Sequence, residues 1–347
     1  MSNYWGIKLE ESYAQDALTG NNTPDVYIRT ESFNPGLNDE PQLLNLGSMS
    51  PQKDRVGYAE PSGDASTSAD VKVFPWYAYL LLGNYRFTED GYTNDGVTKN
   101  VHEFWGGEKR NLPSATCAWA MDKLERITKG TLLSTLKMTI GKELTTVEPS
   151  IVYSKDRKKK IDIDEYEANL IDSIPLIGYD WTAKIGNSDA LLSEAEIEWD
   201  NNINTDACSV LGTRFYKRRP KADKRETEIS GTSLFDDDNF EIVMKAEDGA
   251  YAPEADGYNY PTECKLFHDS IEFKAQTCED SNEYIFIKFP WCNIQIEPLE
   301  AQEGGTEVSF AFTPLGNKSI TLKDGETSKT TDVYIQVVND QPNLLGD

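Results

Sequence analysis

The sequence predicts a mainly β protein built from antiparallel sheets, and three observations carry that prediction. Apolar and polar residues alternate with period two in several separate stretches, as half-buried strands require. Helical signals are few and short. Aromatic residues reach 11%, with 17 Tyr, 13 Phe and 7 Trp, which is too rich for a disordered chain and suits a packed core.

The elements follow in chain order. Pro75 suits the first turn of a helix, Trp76, Tyr79 and Leu80 share one face, and Gly83 closes the segment. A strand pair is expected over 116–127 and 130–140. In its second member Leu132, Leu136, Met138 and Ile140 face one way, while Thr135, Lys137 and Thr139 face the other. Ala195, Ile197 and Trp199 then alternate with Glu194, Glu196 and Glu198. A second short helix follows the acidic run 236–238, with Phe240, Val243 and Met244 on its apolar side. Ile285, Ile287 and Phe289 mark a strand, Val308, Phe310 and Phe312 another, and Val333, Ile335 and Val337 a third. The expected fold is therefore antiparallel β with short helices lying on the sheets.

This order of elements occurs twice. A glycine-containing stretch at 57–63 leads to a helix, a polar loop and two strands; 226–231 leads to a helix, a Tyr/Pro/Gly-rich loop and two strands. Residue identity between the halves is negligible, so the pattern alone divides the chain into 1–175 and 176–347. At 347 residues there is length for two ordinary domains.

Charge is the strongest compositional signal. Thirty-four Lys and Arg face 59 Asp and Glu, a formal net charge of −25, and residues 226–347 alone hold 7 against 25. Such a surface repels nucleic acid. Two basic clusters stand against this background. One is Lys155, Arg157, Lys158, Lys159 and Lys160; the other includes Arg214, Lys217, Arg218 and Arg219. They are either solvated loops or contacts for an acidic neighbouring subunit.

Catalytic chemistry has little to draw on. His102 and His268 are the only histidines and lie in different halves, so neither a His-dependent triad nor a metal site is expected. The calcium-loop pattern opening at Asp162 fails, because Tyr166 and Glu167 stand where a ligand and a glycine are needed. Phosphate-loop, dinucleotide, esterase and zinc-protease motifs are absent. Five widely spaced cysteines without a CxxC pair read as free thiols, and no cofactor is expected. No apolar run is long enough for a membrane helix and the first ten residues lack a leader pattern, so the expectation is a soluble chain made in the cytoplasm.

Landmarks spread over some 300 residues resemble the tail tube (major tail protein) family of tailed phages. They are Glu31-Ser32-Phe33-Asn34, Val56-Gly57-Tyr58, Pro61-Ser62-Gly63, the helix ending Leu82-Gly83, and Asn111-Leu112-Pro113 before the first strand pair. The second half adds 193–199 leading to Asn201-Asn202, Glu228-Ile229-Ser230-Gly231, and Phe289-Pro290-Trp291 through to 308–312. The KDRKKK stretch departs from the family, as does the lack of an immunoglobulin-like domain at the C-terminus.

The resemblance implies a non-enzymatic virion protein with two tube-type β-sandwich or half-barrel domains. Their strands would join a shared inner β-barrel in stacked rings that conduct the genome. Three copies would complete a pseudo-sixfold ring, or six if the chain is one elaborated domain. The implied partners are a tail terminator, tail-tip or baseplate proteins, and the tape measure protein and DNA in the lumen, bound without specificity. Glu194, Glu196 and Glu198 become candidate lumen-facing residues, and residues 34–70 a loop that orders on docking the next ring. Other tube-like structural proteins share these features, and the aromatics with spare carboxylates also fit a carbohydrate-active β protein.

Overall fold

Strand formation follows the alternation where it is strong. In Leu192–Asp200 the side chains of Ala195, Ile197 and Trp199 are buried while their neighbours face outward. Glu307–Pro314 repeats the pattern with Val308, Phe310 and Phe312 inside. The computed structural model describes residues 3–346 except 21, 39–40, 45–52, 108–110, 122, 162, 173, 237–238, 249–252, 255–256, 259–265, 278–281, 298 and 300–305.

The chain is mainly β, and its strand pairings are antiparallel. Traced pair by pair, the ladders of the described residues form an open, branched sheet over one large core and do not return to close a ring of strands. The core includes Trp5, Trp119, Leu136 and Phe74 from the first half together with Trp199, Phe273, Phe289 and Phe312 from the second.

Element order and pairing both occur twice. In the first half, Asn3–Leu9 pairs with Ala115–Met121, which pairs with the long strand Leu124–Ile140. That strand pairs in turn with Thr146–Val152, which pairs with Ser62–Ser68. In the second half, Trp181–Ile185 pairs with His268–Gln276, then Tyr284–Ile296, Glu307–Pro314 and Glu226–Leu234. Each long strand takes a further partner along its first part, Lys155–Lys160 in one case and Tyr334–Asn339 in the other. The helices Phe74–Leu82 and Phe240–Asp248 each begin six residues after their strand ends, at Ser68 and Leu234. Each packs on the long strand of its own half.

Local chemistry sets the helix ends. Gly83 takes φ 69°, the left-handed conformation that glycine enters at least cost, and its N–H bonds the carbonyl of Tyr79. The second helix starts after Asn239. Asp236 N–H donates to Asn239 Oδ1 and Asn239 N–H donates to Asp236 Oδ1, both at 3.2 Å, a reciprocal pair that fixes the approach to this helix, while 237–238 lie outside the described residues.

Three local expectations need correction. The turn of the first strand pair falls beside residues 122–123 and not near 128–130, so the second strand runs from Leu124. The segment Lys155–Lys160 is an edge strand and not a loop. Part of the expected 34–70 loop is the strand Ser62–Ser68, built into the sheet.

Asn201 ties this architecture together. It is buried, its Nδ2 donates to the carbonyls of Leu81 (3.1 Å) and Leu133 (3.2 Å), and its N–H donates to Ser134 (2.9 Å). One amide thus satisfies the helix C-terminus and the irregular step between Leu133 and Thr135 in the long strand. Asn201→Ala strands two buried carbonyls and is expected to cost about 2–3 kcal/mol in urea unfolding.

Candidate functional site: an acidic sheet face

The alternation that buries one side of each strand leaves the other side polar, and the register lines these polar sides up. Seven strand segments contribute among the described residues. In sheet order they are Ser62–Ser68, Thr146–Val152, the end of Leu124–Ile140, Leu192–Asp200, Glu226–Leu234, Glu307–Pro314 and the end of Tyr284–Ile296. Across them, Thr139 opposes Glu196, Glu196 opposes Ser230, and Ser230 opposes Ala311. In the next row Glu148 opposes Lys137, Lys137 opposes Glu198, and Glu198 opposes Glu228. A third row brings Thr135, Asp200 and Glu226 together.

The face therefore holds Asp64, Glu148, Glu194, Glu196, Glu198, Asp200, Glu226 and Glu228. Along these strands Lys137 is its cation among the described residues, and Lys224 and Arg225 line the same surface at the Glu226 end. The Nζ of Lys137 lies 2.9 Å from Glu196, and that hydrogen bond, with the charges of Glu198 and Glu148 nearby, raises the lysine's pKa. Lys137 stays charged, yet it is far outnumbered.

Two opposed pairs, Glu198 with Glu228 and Asp200 with Glu226, place like charges directly across the ladder. Such pairs destabilise a sheet, so folding stability alone does not favour them. Glu228→Gln is expected to stabilise the isolated chain by about 0.5 kcal/mol in denaturant titrations at low salt, with the gain shrinking as salt rises.

The three glutamates singled out from the sequence thus sit together on this face, with Glu194 exposed and Glu196 and Glu198 half-buried. Sequence reading missed Asp64, Glu148, Asp200, Glu226 and Glu228. Alternation of acids with Thr227 and Ile229 over 226–229 was a usable signal, whereas the inward side of Ser62–Ser68 is Gly63, Ala65 and Thr67, too small to register as a core face.

The two basic clusters meet at the opposite end of these strands from Glu194. Ser154 Oγ donates to the Tyr216 carbonyl at 2.7 Å, and Lys155 and Arg214 both lie over the Phe215 ring, at 5.6 and 5.8 Å. Several of the cations make contacts within the chain. Arg157 bonds Asp16 and the Leu18 carbonyl at 2.9 Å, Lys159 lies 3.2 Å from Glu125, and Arg214 bonds the Gly57 carbonyl at 3.2 Å. Arg219 bonds the Leu112 carbonyl and covers the Tyr13 ring. Lys158, Lys160 and Lys217 are exposed, and Arg218 is exposed beside them in sequence.

His102 is buried on the strand Val97–Trp105. Its Nε2 donates to the Gln341 carbonyl (3.2 Å) and its Nδ1 accepts from Tyr85 Oη (3.0 Å); burial lowers its pKa to about 4. His268 stacks on Trp291 at 5.4 Å. Asp162 lies outside the described residues, and the residues after it form the helix Ile163–Asn169, whose Tyr166 is buried against Tyr4 and Tyr27. Among the described residues no helix is long and apolar enough to cross a membrane.

A face of this kind holds water and small cations and repels phosphates. No family model and no curated protein matches the chain.

Proposed function

We propose that this chain is a structural subunit of a hollow tube of the phage tail type, located in the virion tail and assembled in the host cytoplasm. The acidic face lines the bore, and the genome passes without being held. The observation that carries this reading is the polar face, seven strand segments wide, whose eight acids named above lie on four of those segments with two like-charge pairs opposed. A conduit for DNA needs such a wall, because each Lys or Arg that meets a phosphate adds affinity by releasing counterions.

The repeated pairing order supports two tube domains, 1–175 and 176–347, and hence three copies in a ring. Among the described residues the halves join at two ladders: Tyr334–Asn339 of the second pairs with Val97–Trp105 of the first, and Leu192–Asp200 bridges Leu124–Ile140 of the first and Glu226–Leu234 of the second. The corresponding segment of the first half is Ser32–Phe33, which pairs with Ser62–Ser68 on one side. Among the described residues no strand is named on its other side. In a ring, that free side meets the end of Tyr284–Ile296 in the next copy and repeats the internal junction, which also covers the sheet edges. A terminator, tail-tip or baseplate proteins and a tape measure protein follow as partners of such a tube.

Electron microscopy of the purified protein tests the reading. Long tubes of uniform bore with three chains per ring are expected. Single closed rings point instead to a terminator, and a monomer at every concentration and ionic condition rejects tube assembly.

A further inference from the structure

The strand Leu192–Asp200 joins two surfaces that differ in chemistry. Nine residues span about 30 Å. At its first end a cleft of about 420 Å³ is lined by Ile140, Trp181, Leu191, Leu192 and Phe273. Leu191 is 57% exposed there, and the neighbouring turns carry Tyr179, 72% exposed, with Leu144 and Ile174 also exposed. The turns are locked to one another, since Gly178 N–H bonds the Glu143 carbonyl at 3.1 Å and Thr145 N–H bonds the Leu176 carbonyl at 2.9 Å. An apolar patch held this rigidly and left open to water marks a contact surface.

At the far end of the strand, residues 201–225 fold over the sheet. They are anchored by Tyr216 to Ser154 and by Arg214 to Ala59, whose N–H bonds the Arg214 carbonyl at 3.0 Å. From this anchored loop Leu211 projects almost free of the protein, 94% exposed, at a turn followed by Gly212 with φ 85°. Residues 211–220 contain Arg214, Lys217, Arg218 and Arg219 and no acid. The cleft rim offers Asp189 and Glu194, with Glu143 beside it; Lys142 is nearby, and Lys184 is already paired with Asp189 at 3.4 Å.

We propose that Leu211 of one copy seats in the Trp181–Leu191 cleft of a second copy, with the flanking cations meeting Glu194 and Asp189. Knob and cleft lie at opposite ends of the same strand. The contact is therefore heterologous and leaves a fresh knob and a fresh cleft at the two ends, so in the proposed tube it propagates as a line of copies. This rests on the tube reading and supplies its longitudinal contact, the one that stacks rings.

Sedimentation velocity and negative-stain microscopy of the full chain test it, using Leu211→Asp and Leu191→Asp. Both residues are exposed, so the far-ultraviolet spectrum and melting transition should match wild type. Wild type is expected to form tubes, and each variant to stop at rings or smaller species. Mixed together, the variants retain one intact knob and one intact cleft and should yield pairs that grow no further.

A photo-crosslinking residue at position 211 provides a second reading, with crosslinks in tubes expected to map to 174–194. If Leu211→Asp forms tubes like wild type, or the crosslinks map elsewhere, this contact is wrong while the tube reading stands. If wild type itself never polymerises, both fall.

Discussion

Tubes assembled from a Glu194→Lys, Glu196→Lys, Glu198→Lys variant are expected to retain duplex DNA that wild-type tubes let pass, with retention at least tenfold higher in low salt. All three side chains point away from the core, so the substitution leaves the packing of Ala195, Ile197 and Trp199 untouched. It also places a cation opposite Glu228, relieving one like-charge pair, but it removes the Lys137–Glu196 ion pair and sets lysine against Lys137. These small exposed-pair contributions oppose one another, so folding should be preserved. The functional cost lies elsewhere, because three lysines in every copy repeat along the bore and each phosphate contact adds a counterion-release contribution. Retention measured against salt should fall linearly on logarithmic axes, with a slope that grows with the number of lysines introduced. The matching glutamine variant separates loss of negative charge from gain of positive charge, and it should retain little DNA. Unchanged passage through lysine tubes would show that these glutamates do not face the bore.

How much of this could be read from the sequence depended on how strongly each strand alternates. Leu192–Asp200 and Glu307–Pro314 carry large apolar residues at every second position, and both are strands as expected. The helix Phe74–Leu82 was legible from Pro75 and Gly83. By contrast, Lys155–Lys160 has no apolar residue at all. It is a strand because Leu124–Lys129 offers it a ladder, and its charges suit an edge that must not attract other chains. Ser62–Ser68 was hidden for the opposite reason, its inward side chains being too small to show a period. The helix Ile163–Asn169 was obscured by acids that read as a failed calcium loop, although Tyr166 supplies its buried contact. The repeated order of elements was visible without any residue identity between the halves, because topology constrains where strands lie far more than which residues build them. Five of the eight acids on the face were missed, and although 226–229 alternates, no sequence period says that Glu228 opposes Glu198.

The second large effect is expected at Trp199. Its side chain is fully buried in the strand that bridges the two halves, opposite Leu136 in the ladder and stacked on Phe289 with ring centroids 6.2 Å apart. Leu136 belongs to the first half and Phe289 to the second, so this indole packs across one of the places where the halves meet. Trp199→Ala removes most of that volume and is expected to cost about 3–5 kcal/mol in urea unfolding, a transfer contribution plus the cavity left behind. Trp199→Phe should cost far less, about 1 kcal/mol. The indole Nε1 has no hydrogen-bond partner among the described residues, so phenylalanine forfeits area but no bond. Because the cavity lies at the junction, the alanine variant should also broaden the transition, with one half unfolding before the other as their coupling weakens. A single sharp transition shifted to lower urea would mean instead that the halves stay coupled through the rest of the shared core. The same junction geometry is proposed to recur between copies, so loss of cooperativity in the monomer should be accompanied by failure to form rings.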